Sequence, residues 1–243
     1  MKDWFENWFD SDFYHILYNK RNDKEAEFFI DNLLKILSPK KNSFFLDLGC
    51  GKGRHSIYLS QKGFYVDGID LSKKSLNMAI PHENEKLHFF LRDMRCIKEK
   101  NKYNYILNLF TSFGYFKQKK DNRLVVNGIA QGLKKNGIFI IDFLNIDSCL
   151  KNLVESEKKI IQNKEFDIKR WHTKKYLFKK IEFKKNNEKK SHTERIQLLK
   201  KDEIVNICEK EKLKLIDSFG DYHLNKFDEK SERLILLFKK TIN

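Results

Sequence analysis

The sequence DLGCGKG of residues 47–53 places three glycines at alternate positions directly after an aspartate. An apolar run at residues 44–46 precedes it and a segment with helical periodicity follows, which predicts a strand, a loop and a helix. Glycines in such a loop let backbone amides approach a ligand that a side chain would keep away. A tight turn is the alternative, but three alternate glycines after an aspartate favour a ligand-binding loop.

Three aspartates stand near the carboxyl ends of three successive predicted strands: Asp47, Asp70 and Asp93. A carboxylate at position 47 would repel a diphosphate but suits a cation such as a sulfonium or an α-amino group. Asp70 lies 21 residues beyond Gly49, where an acidic side chain can accept hydrogen bonds from both ribose hydroxyls. Asp93 is placed to accept from an adenine amino group. The three together indicate a positively charged nucleoside as ligand.

Both later aspartates also have a structural alternative. Asp70 can cap the helix that follows it, although Ser72 is the better capping residue. Asp93 can form a surface ion pair, because it stands between Arg92 and Arg95. Ligand binding is the favoured interpretation for both residues, by a wider margin for Asp70.

Two common kinds of site are excluded by the neighbouring residues. The dinucleotide fingerprint G-x-G-x-x-G requires glycine at position 54, where this chain has Arg54. The four cysteines occur singly, without C-x-x-C spacing, and no histidine pattern for metal binding lies near the loop. We therefore predict no metal site and expect the cysteines to be reduced thiols.

Strands and helices alternate along the first part of the chain. The predicted strands span residues 44–48, 64–69, 87–91, 103–109 and 138–143, and the predicted helices span 55–61, 72–80 and 122–133. This alternation is typical of an α/β fold in which helices cover both faces of a parallel sheet. Since ligands bind beyond the carboxyl ends of such strands, we expect the glycine loop, Asp70 and Asp93 to share one rim.

The remaining segments predict additions to this sheet. Residues 1–38 have helical periodicity and are predicted to form an N-terminal helical lid. Residues 151–199 contain short alternating strands, at 165–170, 175–183 and 193–198, and are predicted to form an antiparallel β flap. A helix at 202–211 and strands at 213–219 and 233–238 complete the core, which comprises residues 39–150 and 200–243.

Residues 45–53 (FLDLGCGKG) closely resemble motif I of class I S-adenosylmethionine-dependent methyltransferases, and residues 68–72 (GIDLS) resemble their second motif. The resemblance implies a Rossmann-like fold with a mainly parallel seven-stranded sheet and an antiparallel last strand. It implies S-adenosylmethionine as cofactor, with its methionine portion at the glycine loop, its ribose at Asp70 and its adenine between Asp93 and Met94. The residues we expect to bind the cofactor are Tyr14, Arg21, Asp47, Gly49, Cys50, Gly51, Gly53, Asp70, Leu71, Asp93, Met94 and Asn108.

The acceptor side is predicted less specifically. Residues 109–115 (LFTSFGY) resemble the segment after strand four in amino-sugar N-methyltransferases, and residues 219–222 (FGDY) also fit that group. Transfer from a sulfonium is an in-line displacement that needs alignment and exclusion of water, so no nucleophile is required. We expect the catalytic residues to be Tyr14, His15, Tyr115 and Tyr222, with Arg21 on the same helix face as Tyr14 to close over the cofactor carboxylate. For Tyr18 and Trp8 of the lid, packing against the core is at least as good an explanation, and for His15 a structural role is the favoured interpretation.

The charge distribution raises an alternative acceptor. Of the net charge of +15, residues 151–201 contribute +10, from 17 Lys or Arg against 7 Asp or Glu. This Lys-rich flap would suit an RNA methyltransferase. The bases are almost all Lys, however, and recognition of phosphates and bases usually recruits Arg as well, so a solvated surface is favoured.

We therefore predict methylation of an N or O atom of a small molecule, with RNA as the alternative acceptor. A non-catalytic module that binds the cofactor is less favoured, because the glycine motif is intact. The N-terminus lacks the features of a signal peptide and no apolar segment reaches membrane-spanning length, so we expect a cytoplasmic protein, monomeric or homodimeric, without membrane contact.

Overall fold

Two β-sheets with surrounding helices make up the computed structural model, which describes residues 4–18, 23–186 and 188–241. The helices are α1 (Trp4–Phe9), α2 (Asp12–Leu17), α3 (Asp23–Leu37), α4 (Arg54–Gln61), α5 (Lys73–Ala79), α6 (Lys119–Gly132), α7 (Ile146–Lys151) and α8 (Lys201–Lys210). The strands are β1 (Phe44–Leu48), β2 (Tyr65–Asp70), β3 (Leu87–Leu91), β4 (Tyr103–Asn108), β5 (Leu133–Leu144), β6 (Ser156–Ile161), β7 (Lys164–His172), β8 (Tyr176–Lys185), β9 (Glu188–Gln197), β10 (Leu213–Phe219) and β11 (Arg233–Lys240).

The larger sheet has seven strands in the order β10-β11-β5-β4-β1-β2-β3. Strands β1 to β5 run parallel, whereas β11 lies antiparallel to both β5 and β10. This confirms the predicted Rossmann-like arrangement of a mainly parallel sheet with an antiparallel last strand. The strand order reverses between β1 and β4, and ligands of such sheets bind in the crevice beyond the carboxyl ends at this point.

Local signals in the sequence account for the ends of several elements. Ser72 caps α5, since its side chain accepts a hydrogen bond from the backbone N–H of Ser75 at 3.0 Å. The interior strands β1 and β2 are almost continuously buried, as expected for strands covered on both faces. Among the described residues, no helix is both long and apolar enough to cross a membrane.

The second sheet is antiparallel in the order β6-β7-β8-β9. Sequence reasoning found three of its strands and missed β6, whose sequence SEKKII is largely exposed and has no alternation of apolar residues. It also missed α7, which has only six residues. Pairing with β7 rather than an intrinsic pattern explains why β6 forms a strand.

The second sheet packs against the N-terminal helices. One cluster of buried apolar side chains joins α1 and α2 to β7 and β8; its members are Trp8, Phe13, Leu17, Phe166, Ile168 and Ile181. Beside this cluster, Glu194 of β9 accepts hydrogen bonds from Trp8 Nε1 at 2.7 Å and from the Tyr18 hydroxyl at 2.8 Å. The Lys179 ammonium lies 3.9 Å from Glu194 and donates to the Tyr18 hydroxyl. Thus Glu194 links both helices to the second sheet.

Replacing Glu194 by Ala should lower the free energy of unfolding by about 3 kcal/mol, because hydrogen bonds to a largely buried charge are lost and Lys179 is left without its carboxylate. Urea denaturation followed by circular dichroism measures the change. Glu188→Ala on the same strand is the control, since Glu188 pairs with Lys190 in solvent and should contribute less than about 1 kcal/mol. Equal, small losses for both variants would contradict the role given to Glu194.

Candidate active site

The glycine loop leaves β1 at the crevice, and Gly49, Gly51 and Gly53 all have positive φ angles of 72°, 57° and 80°. Their surroundings differ. A Cβ atom at Gly49 would lie 2.9 Å from the Ser112 Cβ, and one at Gly53 would lie 2.6 Å from the Phe89 ring, so both positions exclude side chains by packing. At Gly51 nothing lies within 4 Å of such an atom. Gly51 is therefore the glycine that leaves open space for a ligand.

Asp47 lies buried beneath this loop, with 1% of its surface exposed. Its carboxylate accepts a hydrogen bond from Ser56 Oγ at 2.7 Å. Burial raises the pKa of Asp47 to about 6, the neighbouring Asp70 adds to the rise, and Ser56 and Arg54 only partly oppose it. A buried anion without a cationic partner in contact is costly, so this site favours a cationic ligand.

Asp70 ends β2 on the other side of the loop and lines the cavity described below. Its carboxylate accepts hydrogen bonds from the backbone N–H groups of Gly51 at 2.8 Å and Ser72 at 2.7 Å. Burial nevertheless raises its pKa above the usual value. A carboxylate oxygen can accept more than one hydrogen bond, so both oxygens of Asp70 can still accept from ligand hydroxyls.

Asp93 differs from the other two carboxylates, because it does not line the cavity. It caps a short 3-10 helix (Met94–Cys96), accepting from the backbone N–H of Arg95 at 2.8 Å, and it pairs with the Arg95 guanidinium. This is the ion pair considered as its structural alternative. Met94 and Leu71 do line the cavity, together with Arg92, which pairs with Glu99.

Two further predicted cofactor residues are buried near the loop. Asn108 is fully buried at the end of β4, donates to the Leu48 carbonyl at 3.3 Å and lies outside the cavity wall. Its Oδ1 atom has no hydrogen-bond partner among the described residues. Cys50 lines the cavity, but burial raises the pKa of its thiol well above the usual value, so it remains protonated and is no nucleophile.

The N-terminal helices form the opposite wall. Tyr14 and His15 of α2 line the cavity, as do Phe5 and Phe9 of α1 and the following Tyr18. His15 is 9% exposed, and its Nε2 atom has no hydrogen-bond partner in the described part of the chain. Burial and the nearby Lys52 lower the pKa of His15. The imidazole is therefore neutral at pH 7 and can accept a proton.

The segment after β4 completes the wall. Tyr115 lines the cavity, and its ring lies 5.4 Å from that of Phe9. The Arg54 guanidinium lies over the Phe110 ring, with its central carbon 4.0 Å from the ring centroid. Sequence reasoning assigned no role to Phe5, Phe9 or Arg54. The spacing of four between Phe5 and Phe9 was a usable signal, because it places both on one helix face.

Four of the predicted site residues lie elsewhere, namely Gly53, Asp93, Asn108 and Tyr222. The structure does not bring Tyr222 to the cavity; its hydroxyl donates to the buried Asp142 carboxylate at 3.1 Å. Burial and Asp142 keep the pKa of Tyr222 well above its usual range, so it is not a base. Arg21 lies outside the described residues.

The resulting cavity encloses about 1260 Å³ of empty space, a figure that includes the open solvent at its mouth. Predicted site residues that line it are Tyr14, His15, Asp47, Gly49, Cys50, Gly51, Asp70, Leu71, Met94 and Tyr115. No group of three or more His, Cys, Asp or Glu side chains in residues 4–18, 23–186 and 188–241 is arranged to hold a metal ion. Asp47 and Asp70 belong to the lining together with the cations Lys52 and Arg54, and the N-terminal helices and the segment after β4 contribute aromatic rings.

The sheet topology and the cavity at its carboxyl edge are those of the class I S-adenosylmethionine-dependent methyltransferase fold. Residues 8–149 match the family described as "Tellurite resistance protein TehB". The chain belongs to this family.

Curated relatives match over shorter stretches. The chain is 34% identical to "Ubiquinone biosynthesis O-methyltransferase" of Pelagibacter ubique (strain HTCC1062) over 110 residues, which are 44% of each protein. It is 35% identical to "Putative methyltransferase YqeM" of Bacillus subtilis (strain 168) over 100 residues, 40% of each. The chain thus spans less than half the length of these two relatives.

Solved structures match over almost the whole chain. A "S-adenosylmethionine-dependent methyltransferase" from Clostridium acetobutylicum ATCC 824 superimposes with a TM-score of 0.80 at 18% identity, covering 94% of this chain and 96% of that one. "SAM bound CalS10, an amino pentose methyltransferase" from Micromonospora echinaspora gives a TM-score of 0.70 at 14% identity, covering 95% and 98%. At these identities the likeness establishes the fold.

Replacing Asp47 by Asn should stabilise the protein without ligand. Since the folded-state pKa of about 6 lies above the unfolded value, ionised Asp47 opposes folding at pH 7 by about 3 kcal/mol. The stabilisation should be full above about pH 7 and vanish below about pH 3, where the carboxyl is protonated in both states. Urea denaturation at several pH values measures it, with the exposed Asp147→Asn as control. A destabilised Asp47→Asn protein at pH 7 would contradict the description of Asp47 as an uncompensated anion.

Proposed function

We propose that the protein transfers the methyl group of S-adenosylmethionine to an N or O atom of a small molecule by in-line displacement. The observation that carries this proposal is a single cavity bounded by two kinds of wall. Asp47, Asp70 and the glycine loop form one wall, and Tyr14, His15 and Tyr115 form the other. In our proposal the first wall takes the charged nucleoside and the second wall takes the acceptor.

The residues present fit the cofactor. Gly51 has open space before it, and no cation among the described residues forms an ion pair with the buried Asp47 carboxylate, whose pKa is raised. In our proposal Asp47 faces the positively charged methionine portion, Asp70 accepts from the ribose hydroxyls, and Leu71 and Met94 flank the adenine. For Asp93 to accept a hydrogen bond from the adenine amino group, its ion pair with Arg95 has to rearrange. The bound cofactor supplies a methyl group activated by its sulfonium.

The acceptor half excludes water and orients the substrate. In our proposal α1 and α2 act as a lid held by the second sheet, and the rings of Phe9, Tyr14 and Tyr115 surround the acceptor. Phe9 lies 5.0 Å from the Tyr14 ring and 5.4 Å from the Tyr115 ring, so the three form one continuous surface. Alignment of two reactants in such a space supplies much of the rate enhancement.

His15 is our candidate for the general base. It is neutral at pH 7, buried at the cavity, and its Nε2 atom has no protein partner among the described residues. If the acceptor arrives protonated, this atom can receive the proton released when the N or O atom is methylated.

A small-molecule acceptor is favoured over RNA. The names of structural neighbours support it, including an amino pentose methyltransferase and the "sugar N-methyltransferase KedS8". In the second sheet, many lysines already have acidic partners. Ion pairs there include Lys158–Asp167, Lys159–Glu157, Arg170–Glu157, Lys180–Glu182, Lys189–Glu182 and Lys190–Glu188. This pairing reduces the positive potential available for phosphates.

Calorimetric titration tests the cofactor assignment. Wild-type protein should bind S-adenosylmethionine and S-adenosylhomocysteine but not NAD, and Asp70→Asn should weaken binding about 10- to 100-fold through lost charge-assisted hydrogen bonds to the ribose. Asp147→Asn, on the surface away from the cavity, should bind like wild type. If neither sulfur nucleoside binds the wild-type protein, the proposed function is wrong.

Replacing His15 by Gln should lower kcat/KM for methyl transfer about 100-fold and abolish the decline of kcat/KM at acidic pH. Because the pKa of His15 is lowered, that decline should occur below the usual histidine range in the wild type. Transfer of tritiated methyl groups into a small-molecule cell extract provides the assay, with purified total RNA at two salt concentrations as the competing acceptor. Incorporation into RNA alone would replace the small-molecule proposal by the RNA alternative.

A further inference from the structure

The turn that follows β4 has an unusual backbone. Phe110 and Thr111 have φ angles of +55° and +62°, and neither residue is glycine. Two consecutive L-residues rarely adopt this conformation, and a β-branched residue such as Thr111 adopts it least readily. The surrounding structure must therefore hold the turn in place, and the residues that do so are identifiable.

A buried ion pair between β5 and β11 holds it. Asp142, with no exposed surface, accepts hydrogen bonds from Arg233 Nε at 2.8 Å and from the Phe110 backbone N–H at 2.8 Å. The Asp142 carbonyl accepts from the Thr111 N–H at 2.9 Å. Arg233 Nη2 also donates to Thr111 Oγ1 at 2.9 Å. Both residues of the turn are thus fixed to the same ion pair.

Tyr222 completes the network from the segment between β10 and β11. Its hydroxyl donates to Asp142 Oδ2 at 3.1 Å, and its ring lies 5.2 Å from the Phe110 ring. It therefore contacts the turn both through the carboxylate and directly. Sequence reasoning had placed Tyr222 among the catalytic residues, whereas these contacts give it a different task.

The turn also forms part of the cavity wall. Phe110 and Ser112 line it, and Ser112 packs so closely on the glycine loop that a Cβ at Gly49 would lie 2.9 Å from its own. Gly49 belongs to the loop that we propose faces the methionine portion of the cofactor. The position of Ser112 therefore determines how tightly the glycine loop is packed on the side that faces the acceptor.

We propose that Asp142, Arg233 and Tyr222 are positioning residues: they hold the Phe110–Thr111 turn so that Ser112 fixes the glycine loop in its cofactor-binding geometry. This inference rests on the proposed function, because it assigns the loop to the cofactor. None of the three residues lines the cavity. Their contribution is carried by the turn alone.

Two conservative substitutions test the network without removing the buried ion pair. Tyr222→Phe deletes one hydrogen bond to Asp142, and Thr111→Val deletes the acceptor of Arg233 while keeping the β-branched shape. Each should weaken the binding of S-adenosylhomocysteine three- to tenfold by calorimetry, at a temperature where urea denaturation shows the protein fully folded. Thr111→Ser keeps the hydroxyl and should bind within twofold of wild type.

A stability control separates positioning from folding. Phe238→Leu lies on the same strand as Arg233 but at the opposite end, opposite Phe139 of β5. It should lower stability and leave the affinity for S-adenosylhomocysteine unchanged. If Tyr222→Phe and Thr111→Val also lose only stability and bind like wild type, the inference is overturned while the proposed function stands. If wild-type protein does not bind S-adenosylhomocysteine, both are overturned.

Discussion

Two carboxylates at the ends of neighbouring parallel strands, the buried Asp47 and the half-buried Asp70, govern the arrangement of the site. Asp47 and Asp70 both have raised pKa values, mainly because burial disfavours their charged forms. Asp70 is partly compensated by the amides of Gly51 and Ser72, and through them it fixes the glycine loop to the start of α5. Within the described part of the chain, the side-chain donor to the Asp47 carboxylate is the Ser56 hydroxyl. The fold thus maintains an electrostatic cost in the absence of ligand, which a cationic ligand relieves.

The other half of the cavity depends on segments far apart in the chain. The N-terminal helices bring aromatic rings and His15, but they are held by contacts with two other regions. Glu194 and the apolar cluster of the second sheet support them on one side. On the other side, Asp10 accepts from Ser72 Oγ at 3.0 Å and from the Lys74 N–H at 2.7 Å, beside Asp70. Hydrogen bonds therefore link the N-terminal helices to the wall of the cavity that contains Asp70.

The sequence contained enough information for the parallel sheet and for the wall that contains Asp47 and Asp70. Asp47, Asp70, Asp93 and Asn108 each stand at or near the end of a short apolar run, and the spacing of the glycines is specific. The aromatic wall was only partly predictable, since residues of terminal helices and loops follow no fixed spacing. Tyr222 was placed in the site because its neighbours resemble those of other enzymes, yet a hydrogen bond to Asp142, 80 residues away, decides its orientation. Strand β6 was missed because partner strands, not its own pattern, define it.

A crystal structure of the protein with S-adenosylhomocysteine tests the central claim most directly, because that claim assigns each wall of the cavity to one part of the ligand. We expect the ribose hydroxyls within hydrogen-bond distance of Asp70, the amino group of the homocysteine portion toward Asp47, and the sulfur facing His15 and Tyr115. A nucleoside bound outside this cavity, or bound in it with its ribose away from Asp70, would contradict the account.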